Sequence, residues 1–95
     1  MTTDQGLIHS FLEIKIAETG ASKNTIAAYE RDLRDFATWL QENRNKLLKV
    51  TQKHIESYLV DQEQKGFAPA TRARRLSVIK QFFLFILFFC FLFVP

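Results

Sequence analysis

Apolar residues recur every three or four positions along most of the chain, which is the period of an α-helix with one buried face. The pattern marks four segments, at about residues 4–18, 23–42 and 51–66 and from residue 69 onwards. No stretch alternates apolar and polar residues as a half-buried strand does, and no internal repeat is present. The sequence therefore predicts an all-α fold, a compact four-helix bundle joined by short turns.

Residues that favour helix ends stand at the borders of these segments. Ser22 and Thr51 precede the second and third segments, where a hydroxyl can accept hydrogen bonds from the free N–H groups of the first turn. Gly20 and Gly66 follow the first and third segments, where glycine often ends a helix. Pro69 suits the first turn of the fourth helix, because the N–H group that proline lacks would have no partner there.

The inward face of each helix supplies the predicted core. The second helix has the clearest apolar stripe, with Trp39 on its flank, and the polar connection 43–50 contributes two further apolar residues. The predicted core residues are Leu7, Phe11, Ile14, Ile26, Tyr29, Leu33, Phe36, Leu40, Leu47, Val50, Ile55, Tyr58, Leu59, Leu76, Ile79 and Phe83.

Charge is distributed unevenly along the chain, although the net charge is only +3. All ten Asp and Glu residues precede Gln64, whereas the fourth segment carries Arg72, Arg74, Arg75 and Lys80 without a carboxylate. A helix with unneutralised cations on one side and apolar residues on the other is suited to face phosphates. An ordinary solvated helix surface is the alternative interpretation.

The second helix carries cations opposite its apolar stripe as well. Arg31 and Arg34 lie there together with the small Ala27, and Asp32 and Asp35 are interleaved with them. From these residues alone, a salt-bridged surface is as good an interpretation as a phosphate contact.

No catalytic or ligand-binding motif is present. His9 and His54 are isolated, which fits surface or capping positions, and no glycine-rich phosphate loop occurs, so we expect no metal and no cofactor. The single Cys90 excludes an intramolecular disulfide and suits a reducing compartment. The polar first six residues do not resemble a signal peptide, and a cytoplasmic location is expected.

Three stretches, in this order, resemble the N-terminal core-binding domain of tyrosine recombinases of the phage integrase superfamily, Xer type most closely. They are S-x-N-T at 22–25, A-Y-x-R-D-L at 28–33 and P-A-T-x-A-R-R-L-S at 69–77, and the similarity covers about residues 7–83. The resemblance implies a SAM-like helical bundle that forms half of a clamp around a recombination half-site in double-stranded DNA. It also implies a role in DNA recombination, DNA integration and chromosome partition.

In that family the second and fourth helices lie across the major groove. Carried onto matching positions, the resemblance implies that the DNA contacts are Asn24, Thr25, Ala28, Arg31, Thr71, Arg72, Arg74 and Arg75. Arg72 fits less well, because it stands at the head of its helix's apolar stripe.

The sequence departs from the family after Phe83. A tyrosine recombinase continues there into a linker and a catalytic domain with a nucleophilic tyrosine, and no matching residues follow here. Tyr29 and Tyr58 lie on core stripes and do not match the nucleophile. We therefore expect a fragment without enzyme activity.

The residues that replace the catalytic domain are almost wholly apolar. Thirteen consecutive apolar residues occupy 82–94, fewer than the roughly 20 that a membrane-spanning helix needs. We expect residues 1–83 to form the core-binding domain and residues 84–95 an apolar helical extension, with a frameshift or truncation as its origin. Self-association through this tail is a further expectation. Anchorage to a membrane or a partner through it is the alternative function.

Overall fold

The computed structural model describes residues 3–93, and the side chains of residues 4–88. Its helices are α1 (Thr3–Thr19), α2 (Lys23–Glu42), α3 (Gln52–Gln64) and α4 (Pro69–Phe93), with a short 3₁₀ turn at Leu47–Lys49 between α2 and α3. The prediction of an all-α four-helix bundle is confirmed, and no described residue lies in a strand.

The predicted capping residues lie at the helix boundaries, as expected. The Ser22 hydroxyl accepts a hydrogen bond from the Thr25 N–H at 3.2 Å. The Thr51 hydroxyl accepts from the His54 N–H at 3.4 Å, while His54 Nδ1 accepts from the Thr51 N–H at 3.0 Å. This reciprocal pair is a capping box and explains the histidine without a metal or a catalytic role. Gly20 and Gly66 both have positive φ, +61° and +85°, after α1 and α3.

The core lies where all four helices meet. Most of the predicted residues are buried or half-buried, and Leu47 and Val50 do fold back onto the core from the connection. The buried apolar residues are Ile8, Phe11, Leu12, Leu33, Phe36, Leu40, Leu47, Tyr58, Val78, Ile79, Phe82 and Ile86.

The inward face of α1 was predicted only in part: Phe11 is buried and Leu7 packs against the core, but Ile14 does not. Ile14 is 43% exposed, whereas Ile8 and Leu12 are buried beside Phe11. The periodicity of α1 fits two overlapping faces, and packing selects the one in which Phe11 meets Phe82 edge to face at 5.5 Å.

Aromatic side chains connect α2, α3 and α4 inside the bundle. The ring of Phe36 lies 4.9 Å from Tyr58, 6.3 Å from Trp39 and 6.4 Å from Phe83, measured between centroids. Trp39 therefore completes the aromatic core, as its position beside the stripe of α2 predicted.

Helix α4 continues past Phe83 without a break. Ile86 is buried and Phe85 packs 5.7 Å from Phe11, so the packed core extends about one turn beyond Phe83. Leu84, Leu87 and Phe88 are each more than 60% exposed. The division into a domain 1–83 and a tail 84–95 stays a prediction. Within residues 3–93, no helix combines the length and the apolar content that crossing a membrane requires.

The left-handed backbone at Gly66 gives a direct test of the turn before α4. Gly66→Ala should lower the free energy of unfolding by about 1 kcal/mol, because a Cβ disfavours φ near +85°. Gly6→Ala, inside α1 with open space around the added methyl group, is the matched control and should be neutral or stabilising by up to about 1 kcal/mol. Urea denaturation followed by circular dichroism measures both. Equal losses at the two sites would show that the turn does not require a glycine.

Candidate nucleic-acid interface

The centre of the candidate site is a carboxylate without solvent exposure. Asp32 on α2 is 0% exposed. Its two oxygens accept from Arg74 on α4, Oδ2 from Nε at 2.8 Å and Oδ1 from Nη2 at 2.9 Å, and Oδ1 also accepts from Arg75 Nε at 3.3 Å. A buried carboxylate is costly unless it is paired and hydrogen-bonded, and here three charge-assisted hydrogen bonds offset its loss of water.

Arg75, the second arginine bound to Asp32, is buried. Its side chain is 8% exposed, and Nη1 donates to Asp35 at 3.0 Å and to the side chains of Tyr58 and Gln62. The guanidinium carbon lies 4.5 Å from the ring centroid of Phe67, a cation–π contact. Arg75 thus ties α2, α3 and the turn after α3 to α4. We call Asp32, Asp35, Arg74 and Arg75 the arginine–aspartate cluster.

Tyr58 completes the buried side of the cluster. Its hydroxyl donates to Asp35 Oδ2 at 2.6 Å. Burial, followed by this hydrogen bond to a carboxylate, raises the pKa of Tyr58 well above its usual value. The phenol therefore stays protonated and remains a hydrogen-bond donor throughout the physiological pH range.

Two sequence-based interpretations are corrected by this geometry. Three of the four fourth-helix cations are neutralised, since Arg74 and Arg75 pair with carboxylates of α2 and Arg72 lies 3.8 Å from Glu63. Lys80 forms no ion pair with the described side chains. Asp32 is not part of a solvated surface. Periodicity within one helix detects partners three or four residues apart, whereas Asp32 and Arg74 are 42 residues apart.

A local signal for the burial of Asp32 was present in the sequence. Asp32 stands four residues before Phe36, and the two therefore share a helix face. The exposed Glu30–Arg34 pair, at 3.0 Å, is the kind of surface salt bridge that the charge pattern of α2 indicates.

The cluster brings the first halves of α2 and α4 into contact. Asp32 meets Arg74, and Phe36, one turn further along α2, meets Phe83 further along α4. Ala28 and Thr71 lie one turn before Asp32 and Arg74, so they fall on the same side as this pair. The first halves of the two helices therefore form one surface.

The residues implied as DNA contacts differ in exposure. Asn24, Thr25, Arg31 and Arg74 are exposed, Ala28, Thr71 and Arg72 are half-buried, and Arg75 is buried. We call the first seven the α2–α4 face.

Arg31 and Arg72 differ in how far they are already engaged. Arg31 forms no ion pair with any side chain that the structure describes. Arg72 Nε donates to the carbonyl of Phe67 at 3.3 Å, which draws this side chain back toward the preceding turn. Among the residues whose side chains are described, no three His, Cys, Asp or Glu groups are arranged as metal ligands.

Comparison with known proteins identifies the fold. The model of the phage integrase N-terminal SAM-like domain matches residues 8–87. The chain belongs to this family. The match includes Ile86, consistent with its burial beyond Phe83.

This SAM-like domain is similar to tyrosine recombinases named XerD. It is 38% identical over 79 residues to the protein of Rhizobium meliloti, covering 83% of this chain and 25% of the relative. It is 42% identical over 79 residues to that of Brucella abortus, covering 83% and 26%, and 30% identical over 83 residues to that of Vibrio cholerae, covering 87% and 28%. The SAM-like domain spans about a quarter of the length of these relatives. No solved structure shows significant similarity to it.

Removing the buried charge tests how much the cluster stabilises the SAM-like domain. Asp32→Asn should lower the free energy of unfolding by about 3 to 5 kcal/mol, because Arg75 would keep its burial and lose a carboxylate partner. Glu30→Gln, which removes an exposed ion pair on the same helix, should change it by less than about 0.5 kcal/mol. Urea denaturation compares the two variants. A small, equal effect would mean that the buried pair contributes no more than a surface salt bridge.

Proposed function

We propose that this chain is the DNA-binding core-binding domain of a Xer-type tyrosine recombinase, and that its α2–α4 face binds one recombination half-site in duplex DNA. The observation that carries the proposal is the arginine–aspartate cluster. It fixes two helices next to each other with small, polar and cationic residues along their shared outer side. The similarity to tyrosine recombinases supports the assignment of this surface to DNA.

The chemistry of the face suits a duplex backbone. Arg31 forms no ion pair with a side chain among residues 4–88, and Asn24 and Thr25 supply side-chain donors in the first turn of α2. Phosphate contacts from such side chains position a protein on duplex DNA. Ala28 has a short side chain and allows close approach of the groove.

Arg75 has a different role from the exposed members. Its donors are directed to protein acceptors and its side chain is buried, so it holds α4 against α2 and α3 without touching DNA. This replaces the direct contact that the resemblance implied for Arg75.

Strand cleavage and ligation lie outside this chain in our proposal. The residues match only the N-terminal SAM-like part of the family, and the tyrosines that it contains serve the core. The chain then contributes recognition of a half-site, in the cytoplasm, and the recombination named in its relatives requires further residues.

Substituting Arg31 tests phosphate binding. Arg31→Ala should weaken binding to duplexes of any sequence and reduce the slope of log K against log salt by about 1, because one phosphate contact is lost. Lys46→Ala, in the exposed connection between α2 and α3, removes the same charge away from the α2–α4 face and should change little. Fluorescence anisotropy at several salt concentrations measures both. Equal effects from the two variants would indicate diffuse charge attraction and contradict a docked face.

The exposed end of α4 favours a second activity, self-association. Leu84, Leu87 and Phe88 present large apolar side chains at more than 60% exposure. Exposed apolar patches of several hundred Å² on soluble proteins usually mark association sites. We propose that a second copy of the chain covers this patch, and that anchorage to a membrane or another partner is the alternative.

Shortening the chain tests this second activity. Removing residues 87–95 keeps the buried Ile86 and should shift the protein toward monomer, with helix content per residue and DNA affinity nearly unchanged. Light scattering and circular dichroism on the full and shortened chains provide the measurement. Unfolding of the shortened chain would show that residues after Ile86 belong to the core, and an unchanged mass would contradict self-association through the tail.

A further inference from the structure

Arg74 is held by protein on one side only. Its Nε and Nη2 bind the two oxygens of Asp32 at 2.8 and 2.9 Å, while its side chain remains 43% exposed. Nη1 forms no hydrogen bond with the residues that the structure describes. A guanidinium has five N–H donors in a fixed plane, so the neighbouring Nη1–Nη2 edge still offers two parallel donors, one from each nitrogen, that Asp32 does not use.

The partner that holds Arg74 is itself immobilised. Asp32 is 0% exposed and receives a further hydrogen bond from the buried Arg75 at 3.3 Å. The bidentate contact therefore sets the plane of the Arg74 guanidinium before any ligand arrives. A donor pair whose plane is already fixed favours ligands with two acceptors in the same plane. Such a ligand binds with a smaller loss of side-chain entropy.

The charge around Arg74 distinguishes between possible acceptors. Two carboxylates, Asp32 and Asp35, balance Arg74 and Arg75, so the cluster carries no net formal charge. A phosphate on the free edge would lie near these carboxylates, which weakens its attraction. A neutral pair of acceptors meets no such repulsion. In the major groove, O6 and N7 of guanine form such a pair, and two parallel arginine donors fit them.

We propose that Arg74 reads a guanine in the major groove through its Nη1–Nη2 edge, and that Asp32 is the positioning residue that presents this edge. The inference rests on the proposed function of the α2–α4 face and adds which residue determines sequence preference and for which base. Arg31 then supplies charge attraction, and Arg74 supplies discrimination between bases.

Selection from a library of DNA duplexes with a randomised centre tests the proposal on the full chain. The unsubstituted protein should enrich guanine at one position, and replacing that guanine by adenine should weaken binding about tenfold. Arg74→Lys keeps the charge at an exposed position and lacks the planar fork, so it should bind DNA and lose this preference. Arg31→Ala is the control, and should bind more weakly with the guanine preference retained.

The positioning of Arg74 by Asp32 is tested in the unsubstituted protein, because Asp32→Asn is expected to lower stability. In the free protein, the Nε–H group of Arg74, assigned by comparison with Arg74→Lys, should exchange with solvent more slowly than that of Arg31. Equal exchange rates would overturn the positioning role.

The outcomes separate the two proposals. A guanine preference that survives in Arg74→Lys, or DNA binding without any guanine preference, overturns the base-reading role and leaves DNA binding by the α2–α4 face intact. Failure of the unsubstituted chain to bind any duplex overturns the proposed function, and the base-reading role with it.

Discussion

The carboxylate of Asp32 is enclosed between two arginines of another helix, and the arrangement of α2 and α4 depends on this contact. Apolar side chains such as Phe36 and Phe83 hold the helices together, but dispersion contacts alone tolerate small shifts along the helix axis. A carboxylate that is 0% exposed tolerates them less, because water cannot replace a hydrogen bond that a shift of the helix would break. We infer that the cluster fixes the register of α4 against α2.

The same contact connects the fold to its proposed function. Arg75 is directed inward and joins α2 and α3 to α4, whereas Arg74 shares Asp32 with it and remains exposed. One buried acid thus stabilises the bundle and orients a donor on its surface. Neighbouring arginines with the same charge therefore have separate roles, as their side-chain exposures show, 8% for Arg75 and 43% for Arg74.

The parts of the fold that depend on neighbouring residues in the sequence were predictable. Ser22, Thr51 and Gly66 act on the turn beside them, so their roles follow from neighbouring residues, and the stripe of α2 is clear enough to define one face. The face of α1 was predictable only in part. Phe11 was placed correctly, but Ile14 and Ile8 both fit the helical period, and the position of the facing ring decides between them.

The candidate site was predictable as a set of residues but not as a geometry. The family motifs at 22–25, 28–33 and 69–77 include both Asp32 and Arg74, yet their contact joins positions 42 residues apart, which no helical period indicates. Charge counting along the chain therefore made α4 look unneutralised, although the acids that balance it stand on α2.

The central claim is that the α2–α4 face, held by the arginine–aspartate cluster, is the surface that binds duplex DNA. Titrating a duplex into the ¹⁵N-labelled chain and following its amide resonances by NMR tests this most directly. The account predicts that shifts concentrate at residues 23–31 and 69–78. Shifts concentrated at residues 46–53, where exposed lysines lie outside this face, or at the apolar residues 84–88, would contradict it.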